Sequence, residues 1–507
     1  MFPLKTFGPR AEHAVVAFAR ENARLPVLSM AVGILAYGYA LVDPALNLDE
    51  QIAPAFGTLG RANAWNLGIF RWGTVIFNYA VLGPANLHVL RPILALGVLS
   101  IAATVYARLL PTSCVARAFF CVTFVTLPTF AHAMAFSFQS VEFALAILLF
   151  VLGLKSFVAA TSGPLVDGAG LVKTLVLWVL ASSFYQDYGV ILAASLCWAF
   201  FAVAAGKRTM LPRRAMAFVA VLAVSVMLNV IIAWTLVWLA GVSRPTYLTG
   251  RFGAATLGAR ISALLRGAAS LYFSGDAPGR LSLGVTAVSL PLLGLFVRGS
   301  VVRRVGLALL GAAVCLAPIA YGLGSIPPLR ATSGLLFVVA GTAAFAVERS
   351  PQPISFFVKC AVLYLLLQNA AAVNDVFRYE SLAWEADKML AIELAARIHE
   401  VAPDAHDGSA VRVLFAGSYR RQLASELPGQ DSWVGAFDTW GENKTERRRR
   451  ALNAAGFPAF QLATEKDYRT ALPILERIPA WPDPRSVLRD GDVVIVKLGP
   501  LNGFGRL

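Results

Sequence analysis

Eleven long apolar runs constrain what this chain can fold into more than any other feature. Each is roughly as long as a helix that crosses the hydrocarbon core of a bilayer. They are continuous in hydrophobicity rather than alternating, which argues against the strands of a membrane β-barrel. The sequence therefore predicts an all-α polytopic membrane protein with about eleven transmembrane helices. The runs cover residues 25–41, 88–107, 115–136, 141–160, 172–187, 189–206, 215–241, 281–297, 304–322, 331–347 and 354–373.

Composition supports this prediction and removes a competing one. The chain is 57% hydrophobic and only 14% charged, although its net charge is +15. Residues 374–507 contain 18 basic and 19 acidic side chains, so the excess of positive charge lies between the apolar runs. Basic residues placed there orient helices in a membrane, and they do not imply a nucleic-acid partner. All five cysteines fall in or beside apolar runs, which excludes a disulfide framework.

The basic residues also predict the orientation of the chain. If the N-terminus is cytoplasmic, every cytoplasmic loop is basic, as the positive-inside rule expects. The C-terminal tail then lies on the periplasmic side of a bacterial inner membrane. A cleaved signal peptide is the alternative for the first run, because basic residues precede it. The cytoplasmic basic residues are Arg108, Arg117, Lys155, Lys173, Lys207, Arg208, Arg213, Arg214, Arg298, Arg303, Arg304, Arg349 and Lys359.

Two long outer-face loops are predicted, at residues 43–87 and 242–280. Within the first, residues 64–83 are apolar but interrupted by Asn66, Arg71 and Asn78. If this segment crossed the membrane, the charges of all later loops would be inverted. We therefore expect in-plane or re-entrant helices on the outer face, with a true span as the alternative.

The polar tail predicts a second domain. Residues 1–373 form the transmembrane domain. Residues 374–507 form a small soluble α/β domain that is large enough to have its own hydrophobic core. We expect a helix at 379–401 and strands at 411–417 and 492–497. The four arginines at 447–450 are expected on a solvated helix face.

The outer face holds few carboxylates, which narrows the choice of an acid or base. The first 373 residues contain ten, and the predicted topology places six of them outside. Adjacent carboxylates at the mouth of a membrane helix are costly unless they have a function. Asp49 and Glu50 are therefore candidates for a catalytic base, with solvated loop charges or a helix cap as the alternative. The six are Asp43, Asp49, Glu50, Glu142, Asp187 and Asp276.

Outer-face arginines are candidates for binding a phosphate, because the planar guanidinium matches phosphate oxygens bidentately. Arg71, Arg244 and Arg330 are the candidates. Trp72 and Tyr185 could stack on a sugar ring, or could belong to an aromatic belt at the membrane surface. Gln186 and Asp187 mark a break between two apolar runs and are candidates for binding the substrate or its phosphate. For Asp187, an ion pair with an arginine is the structural alternative. No spacing of His, Asp or Glu predicts a metal site, and no cofactor is predicted.

Short motifs spread along most of the chain resemble the O-antigen-modifying glucosyltransferase family of serotype-converting phages and bacteria. That family is of the Gtr type, with an architecture similar to GT-C transferases. Glu50 stands where the family often has a second Asp, and this difference leaves open whether Asp49 or Glu50 is the base. The motifs are Asp49-Glu50, Arg71-Trp72, Tyr185-Gln186 followed by Asp187, Asn374 with Phe377-Arg378-Tyr379-Glu380, Asp387-Lys388 and Val413-Leu414-Phe415-Ala416-Gly417.

The resemblance implies a polyprenyl-phosphate-linked sugar donor, with glucose as the sugar. It implies transfer on the periplasmic face to a lipid-linked polysaccharide such as O-antigen. A single displacement would invert the anomeric centre. Three alternatives remain open at this point: a lipid-linked polysaccharide polymerase or ligase, a flippase or transporter of lipid-linked sugars, and a non-catalytic assembly partner whose tail binds other envelope proteins. A transporter is expected to show duplicated halves, and no internal repeat is visible.

Overall fold

The computed structural model describes most of the chain. The described residues divide into two compact units. The first comprises residues up to Leu41 and from Leu59 to Asn374, and the second comprises Val42, Asp43, Ala45 and the residues from Asp375 onward. The described ranges are 24–43, 45, 59–82, 89–163, 165–206, 212–242, 257–273, 279–320, 332–405, 411–419, 437, 445–454, 456–457 and 460–501.

The first unit is helical throughout its described residues. Single turns of π-helix and 3-10 helix follow or precede some helices, at Asn78–Leu82 and Pro128–Phe130. The helices are α1 Arg24–Ala36, α2 Gly38–Val42, α3 Leu59–Gly68, α4 Trp72–Phe77, α5 Leu90–Leu109, α6 Cys114–Thr126, α7 Ala131–Met134, α8 Ser137–Ala160, α9 Gly168–Phe184, α10 Tyr188–Ala204, α11 Pro212–Leu239, α12 Leu257–Phe273, α13 Arg280–Leu295, α14 Val301–Ala320, α15 Leu335–Arg349 and α16 Gln352–Val401.

Nine of the eleven apolar runs each fall largely within one helix, and the runs 25–41 and 115–136 are each divided between two helices. Among the described residues, six helices are long and apolar enough to cross a membrane, and four shorter apolar helices accompany them. These helices indicate a membrane protein, and the number of spans stays a prediction. The six are Leu90–Leu109, Cys114–Met134, Gln139–Ala160, Arg214–Leu239, Val301–Ile319 and Gln352–Val401.

Helix α8 lies at the centre of the packing that positions the site. It packs along α5 on one side and α9 on the other. Its neighbour α9 also contacts α4 and α11. Gly153 of α8 allows this close approach, because a Cβ at that position would lie 2.4 Å from the indole of Trp178 on α9. The start of α8 and the end of α9 are therefore held side by side, and α4 lies against that end of α9.

Residues 64–83 are broken into short pieces, as the polar interruptions predict. Helix α3 ends at Gly68, helix α4 begins at Trp72, and the π-helical turn follows. The residue between them, Phe70, has φ 67°, a left-handed conformation that bulky side chains rarely adopt. A reversal of that kind ends one helix and lets the next start in a new direction.

The second unit contains a four-stranded sheet beside the polar end of α16. The strands are β1 Arg412–Ala416, β2 Gln461–Leu462, β3 Val487–Asp490 and β4 Val493–Lys497, and the helices are α17 Thr445–Ala454 and α18 Glu465–Arg477. The order is β2-β1-β4-β3, with β1 parallel to β2 and β4, and β3 antiparallel to β4. One face of the sheet packs on α16 and α17, and the other packs on α18.

The helix predicted at 379–401 is present as the end of α16, which continues without a break from the last apolar run. One expectation for the second unit needs correction. The expectation of a solvated arginine face is wrong for Arg448, which is fully buried and donates from Nη2 to the carbonyl oxygen of Gly417 at 2.6 Å. Hydrophobic patterning could not show that Arg448 is buried, because the carbonyl oxygen that accepts its hydrogen bond belongs to Gly417, after a strand that is distant in sequence.

Candidate functional site

The break between α3 and α4 is fixed by a residue from a distant helix end. Gln186 follows α9, and its Nε2 donates to the carbonyl oxygens of Ile69 at 2.9 Å and Phe70 at 2.5 Å. The backbone N–H of Arg71 donates to the carbonyl oxygen of Asn66 at 2.8 Å. A buried carbonyl without a partner is costly, so these bonds stabilise the left-handed turn. The turn in turn sets the direction in which Arg71 leaves the backbone.

The guanidinium of Arg71 lies over an aromatic ring and makes one side-chain hydrogen bond to the residues that the structure describes. Its Cζ is 4.6 Å from the ring centroid of Tyr185 and 5.9 Å from that of Phe143. Its Nη1 donates to Gln139 Oε1 at 2.9 Å, and its buried Nε has no hydrogen-bond partner within the described structure. The Tyr185 and Phe143 rings meet edge to face at 4.3 Å. The ring and the bond to Gln139 restrict the rotamers of this cation.

Trp72 and the residues after it attach α4 to its neighbours. Trp72 Nε1 donates to Asn229 Oδ1 on α11 at 2.9 Å. Thr74 Oγ1 donates to the carbonyl oxygen of Phe184 at 3.2 Å. A Cβ at Gly73 would lie 2.1 Å from Ser183 Oγ, so only glycine fits where α4 meets the end of α9. The Trp72 indole N–H is used inside the protein, and its ring remains half-buried.

Asp187 is buried beside the same helix break but takes a different partner. It is 1% exposed, and its Oδ2 accepts a hydrogen bond from the backbone N–H of Ser333 at 3.2 Å. Its Oδ1 has no hydrogen-bond partner among the residues that the structure describes. The ion pair with an arginine that was considered as its structural role is absent from these residues. Asp187 joins the start of α10 to the chain that enters α15.

This geometry predicts different outcomes for two substitutions of Asp187. An Asp187→Asn variant keeps an oxygen that accepts from Ser333, so we expect thermal stability and activity close to those of the unchanged protein. An Asp187→Ala variant leaves a buried N–H without an acceptor, which costs about 1–3 kcal/mol. Thermal unfolding of the purified protein measures the difference. If Asp187→Asn keeps its unfolding temperature but loses activity, the carboxylate itself binds substrate.

A buried ion pair adjoins Arg71 and was not among the predicted site residues. Arg91 Nη1 lies 3.3 Å from Glu142 Oε1, and the two residues are 4% and 1% exposed. Glu142 follows Gln139 by one turn of α8, so both face the same side. The sequence contained one signal, since Glu142 is one of only six carboxylates predicted on the outer face. Nothing local indicated that Arg91 would be its partner.

The remaining predicted site residues cannot be placed. Asp49, Glu50, Arg244 and Arg330 lie outside the described residues. Among the residues that are described, no group of three or more His, Cys, Asp or Glu side chains could hold a metal ion. The structure thus brings Arg71, Tyr185 and Gln186 together, places Trp72 and Asp187 beside them, and leaves the proposed base untested.

The assembled residues place a guanidinium next to aromatic surface. Guanidinium groups bind phosphate or carboxylate oxygens, and such an interaction is stronger where water is excluded. The apolar helices around it suit a ligand with a hydrocarbon tail.

Comparisons with known proteins agree with this chemistry. The family model described as glucosyl transferase GtrII matches residues 38–347, which is more than half of the chain. The matched range includes α4, the start of α8 and the break between α9 and α10. No curated protein matches the chain, and no solved structure matches it either.

Proposed function

Because the chain belongs to the GtrII glucosyl transferase family, we propose that it moves glucose from a polyprenyl-phosphate carrier to a lipid-linked polysaccharide. The acceptor is a polysaccharide such as O-antigen, and the transfer takes place on the periplasmic face of a bacterial inner membrane. A GT-C-like transmembrane domain, residues 1–373, carries the site in this proposal, and residues 374–507 form a periplasmic domain. Labelling of a C-terminal tag in intact spheroplasts with a membrane-impermeant reagent tests the orientation.

The position of the Arg71 guanidinium on the Tyr185 ring is the observation that supports this proposal. A cation held on the Tyr185 ring, with a buried Nε that has no described partner, is suited to the phosphate of the carrier. Charge develops on the leaving phosphate during transfer, and a preorganised guanidinium stabilises that charge. Arg244 and Arg330 are proposed as further phosphate ligands. Trp72 and Gln186 are proposed to complete the substrate site around Arg71 and Tyr185, and Asp187 is proposed to support it by joining the start of α10 to the chain that enters α15.

The proposed reaction is a single displacement at the anomeric carbon. An acceptor hydroxyl oxygen forms a bond to C1 of the glucose while the bond from C1 to the phosphate oxygen breaks. The electron pair of that bond stays on the phosphate, which leaves as polyprenyl phosphate. The hydroxyl proton passes to the carboxylate of Asp49 or Glu50, acting as general base. Attack from the face opposite the phosphate inverts the anomeric configuration.

A purified, single-component assay tests the proposal. The full chain in nanodiscs is incubated with polyprenyl-phosphate glucose and a lipid-linked polysaccharide, and the product is analysed by mass spectrometry. We expect the mass of one or more single glucose residues to be added, and polyprenyl phosphate to be released in equal amount. Extension by whole polysaccharide repeats would support a polymerase. Absence of any product, with protein shown to be correctly folded, would contradict the proposed function.

Asp49→Asn and Glu50→Gln variants in the same assay test the base. Each substitution removes the carboxylate charge with little change in size, so the variant that loses turnover identifies the base. Full activity in both would remove this pair from the mechanism. Expression and elution volume on gel filtration serve as controls for folding.

A further inference from the structure

The ion pair between Arg91 and Glu142 lies beside the proposed phosphate ligand. Gln139, Glu142 and Phe143 occupy one face of the first two turns of α8. Gln139 accepts the hydrogen bond from Arg71, and Phe143 packs against both Arg71 and Tyr185. The face of α8 that contacts Arg71 is therefore the face that carries Glu142.

Two guanidinium groups act on one carboxylate here. Arg91 pairs with Glu142 Oε1, and Arg71 reaches the same face of α8 through its bond to Gln139, one turn before Glu142. Glu142 Oε2 is buried and has no hydrogen-bond partner among the described residues. In a site of low dielectric, each of these charges changes the affinity for an anion several-fold. Removing the carboxylate would leave two positive charges, and removing Arg91 would leave a neutral pair.

We infer that Glu142 is a specificity-determining residue that limits the positive charge around Arg71, so that polyprenyl phosphate is released after transfer. The inference rests on the proposed function. The donor is a phosphodiester with one negative charge, and the product is a monoester with close to two at neutral pH. Extra positive charge at Arg71 therefore strengthens binding of the product more than binding of the donor. Glu142 thus keeps the positive charge high enough to bind the donor and low enough to release the product.

Three variants test this inference through the inhibition constant of a short-chain polyprenyl phosphate. Glu142→Gln keeps the size of the side chain and a hydrogen-bond acceptor for Arg91, and should lower the inhibition constant about three- to tenfold. Arg91→Gln should raise it by a similar factor. The double variant Arg91→Gln/Glu142→Gln leaves the charge of Arg71 alone and should return the constant to within about twofold of the original.

Opposite shifts separate this role from a purely structural one. If the pair only supports the fold, both single variants should weaken inhibition and lower the thermal unfolding temperature together. That result, or an unchanged inhibition constant in Glu142→Gln, would overturn the inference. The Glu142→Asp variant retains the charge and should keep inhibition near its original value, which controls for folding.

Failure of the inference is distinguishable from failure of the proposed function. Lack of glucose transfer by the unchanged protein contradicts the function itself. Normal transfer by the unchanged protein, together with inhibition that does not respond to charge at positions 91 and 142, contradicts only the role of Glu142.

Discussion

An Arg71→Ala variant is expected to lose about 10²-fold or more of its kcat/KM for polyprenyl-phosphate glucose. The substitution removes the guanidinium that lies on Tyr185 and leaves the left-handed turn intact, because that turn is held by backbone carbonyls and Gln186. The loss should appear in kcat as well as KM, since the charge on the phosphate is larger in the transition state than in the bound donor. Initial rates over a range of donor concentrations in nanodiscs measure both parameters.

Two further variants make the result specific. Arg71→Lys keeps the charge but cannot lie flat on the ring and donate to Gln139 Oε1 in the same way, so it should recover only part of the activity. Arg266→Ala is the matched control, because Arg266 is an arginine of α12 whose Nη1 bonds to the exposed Ser262. Equal losses in Arg71→Ala and Arg266→Ala would show that the donor responds to the overall positive charge of the protein and not to the position of Arg71 on the Tyr185 ring.

A Gly73→Ala variant is expected to lose both thermal stability and most of its activity. Its Cβ would lie 2.1 Å from Ser183 Oγ and 3.1 Å from the backbone carbon of Ser183, so α4 must move away from the end of α9. Overpacking of this kind costs about 1–3 kcal/mol. The movement also separates Arg71 from Tyr185, which lies two residues after Ser183. Thermal unfolding and turnover of the purified variant measure the two effects.

A compensating substitution sharpens this test. Ser183→Gly removes the Oγ and Cβ atoms that the new methyl group meets, so the Gly73→Ala/Ser183→Gly double variant should regain part of both properties. Gly38→Ala is the control, because a Cβ at Gly38 on α2 meets no atom within 4 Å. If the double variant is no better than Gly73→Ala, the close contact with Ser183 is not the cause of the loss.

Helix positions in the first unit were predictable because hydropathy is a local property. An apolar run of about 20 residues folds as a helix in a membrane whatever it packs against, since its backbone groups must be paired within the segment. The same reasoning identified residues 64–83 as irregular, because Asn66, Arg71 and Asn78 interrupt the run. It could not indicate that the break falls at Phe70 with a positive φ, which depends on a partner from α9.

Strand prediction in the second unit was less complete for a related reason. The apolar strands β1 and β4 lie at the centre of the sheet and are recognisable as hydrophobic runs. The edge strands are short, with β2 only two residues long, and carry exposed polar residues. Such edges are defined by pairing with a neighbour rather than by their own composition.

The site shows the same limit at the level of single residues. Residue chemistry pointed to Arg71 and Tyr185, and the resemblance to a family pointed to Arg71, Tyr185 and Gln186, but neither indicated that the Arg71 guanidinium lies over the Tyr185 ring. The partnership of Arg91 with Glu142 joins two helices that are 51 positions apart, and no pattern in one sequence reports such a pair. Side-chain contacts across helices follow from packing, which is a property of the whole unit.

The bonds from Gln186 to the carbonyls of Ile69 and Phe70 span 117 and 116 positions of sequence. During synthesis, the segment with Arg71 therefore emerges long before the amide that fixes its turn exists. Contacts so distant in sequence close late, because the entropy of a long loop must be overcome first. We therefore expect the turn at Phe70 to close only after residue 186 has been made, so that the position of Arg71 is fixed late in assembly. A chain that stops before residue 186 lacks the two bonds from Gln186.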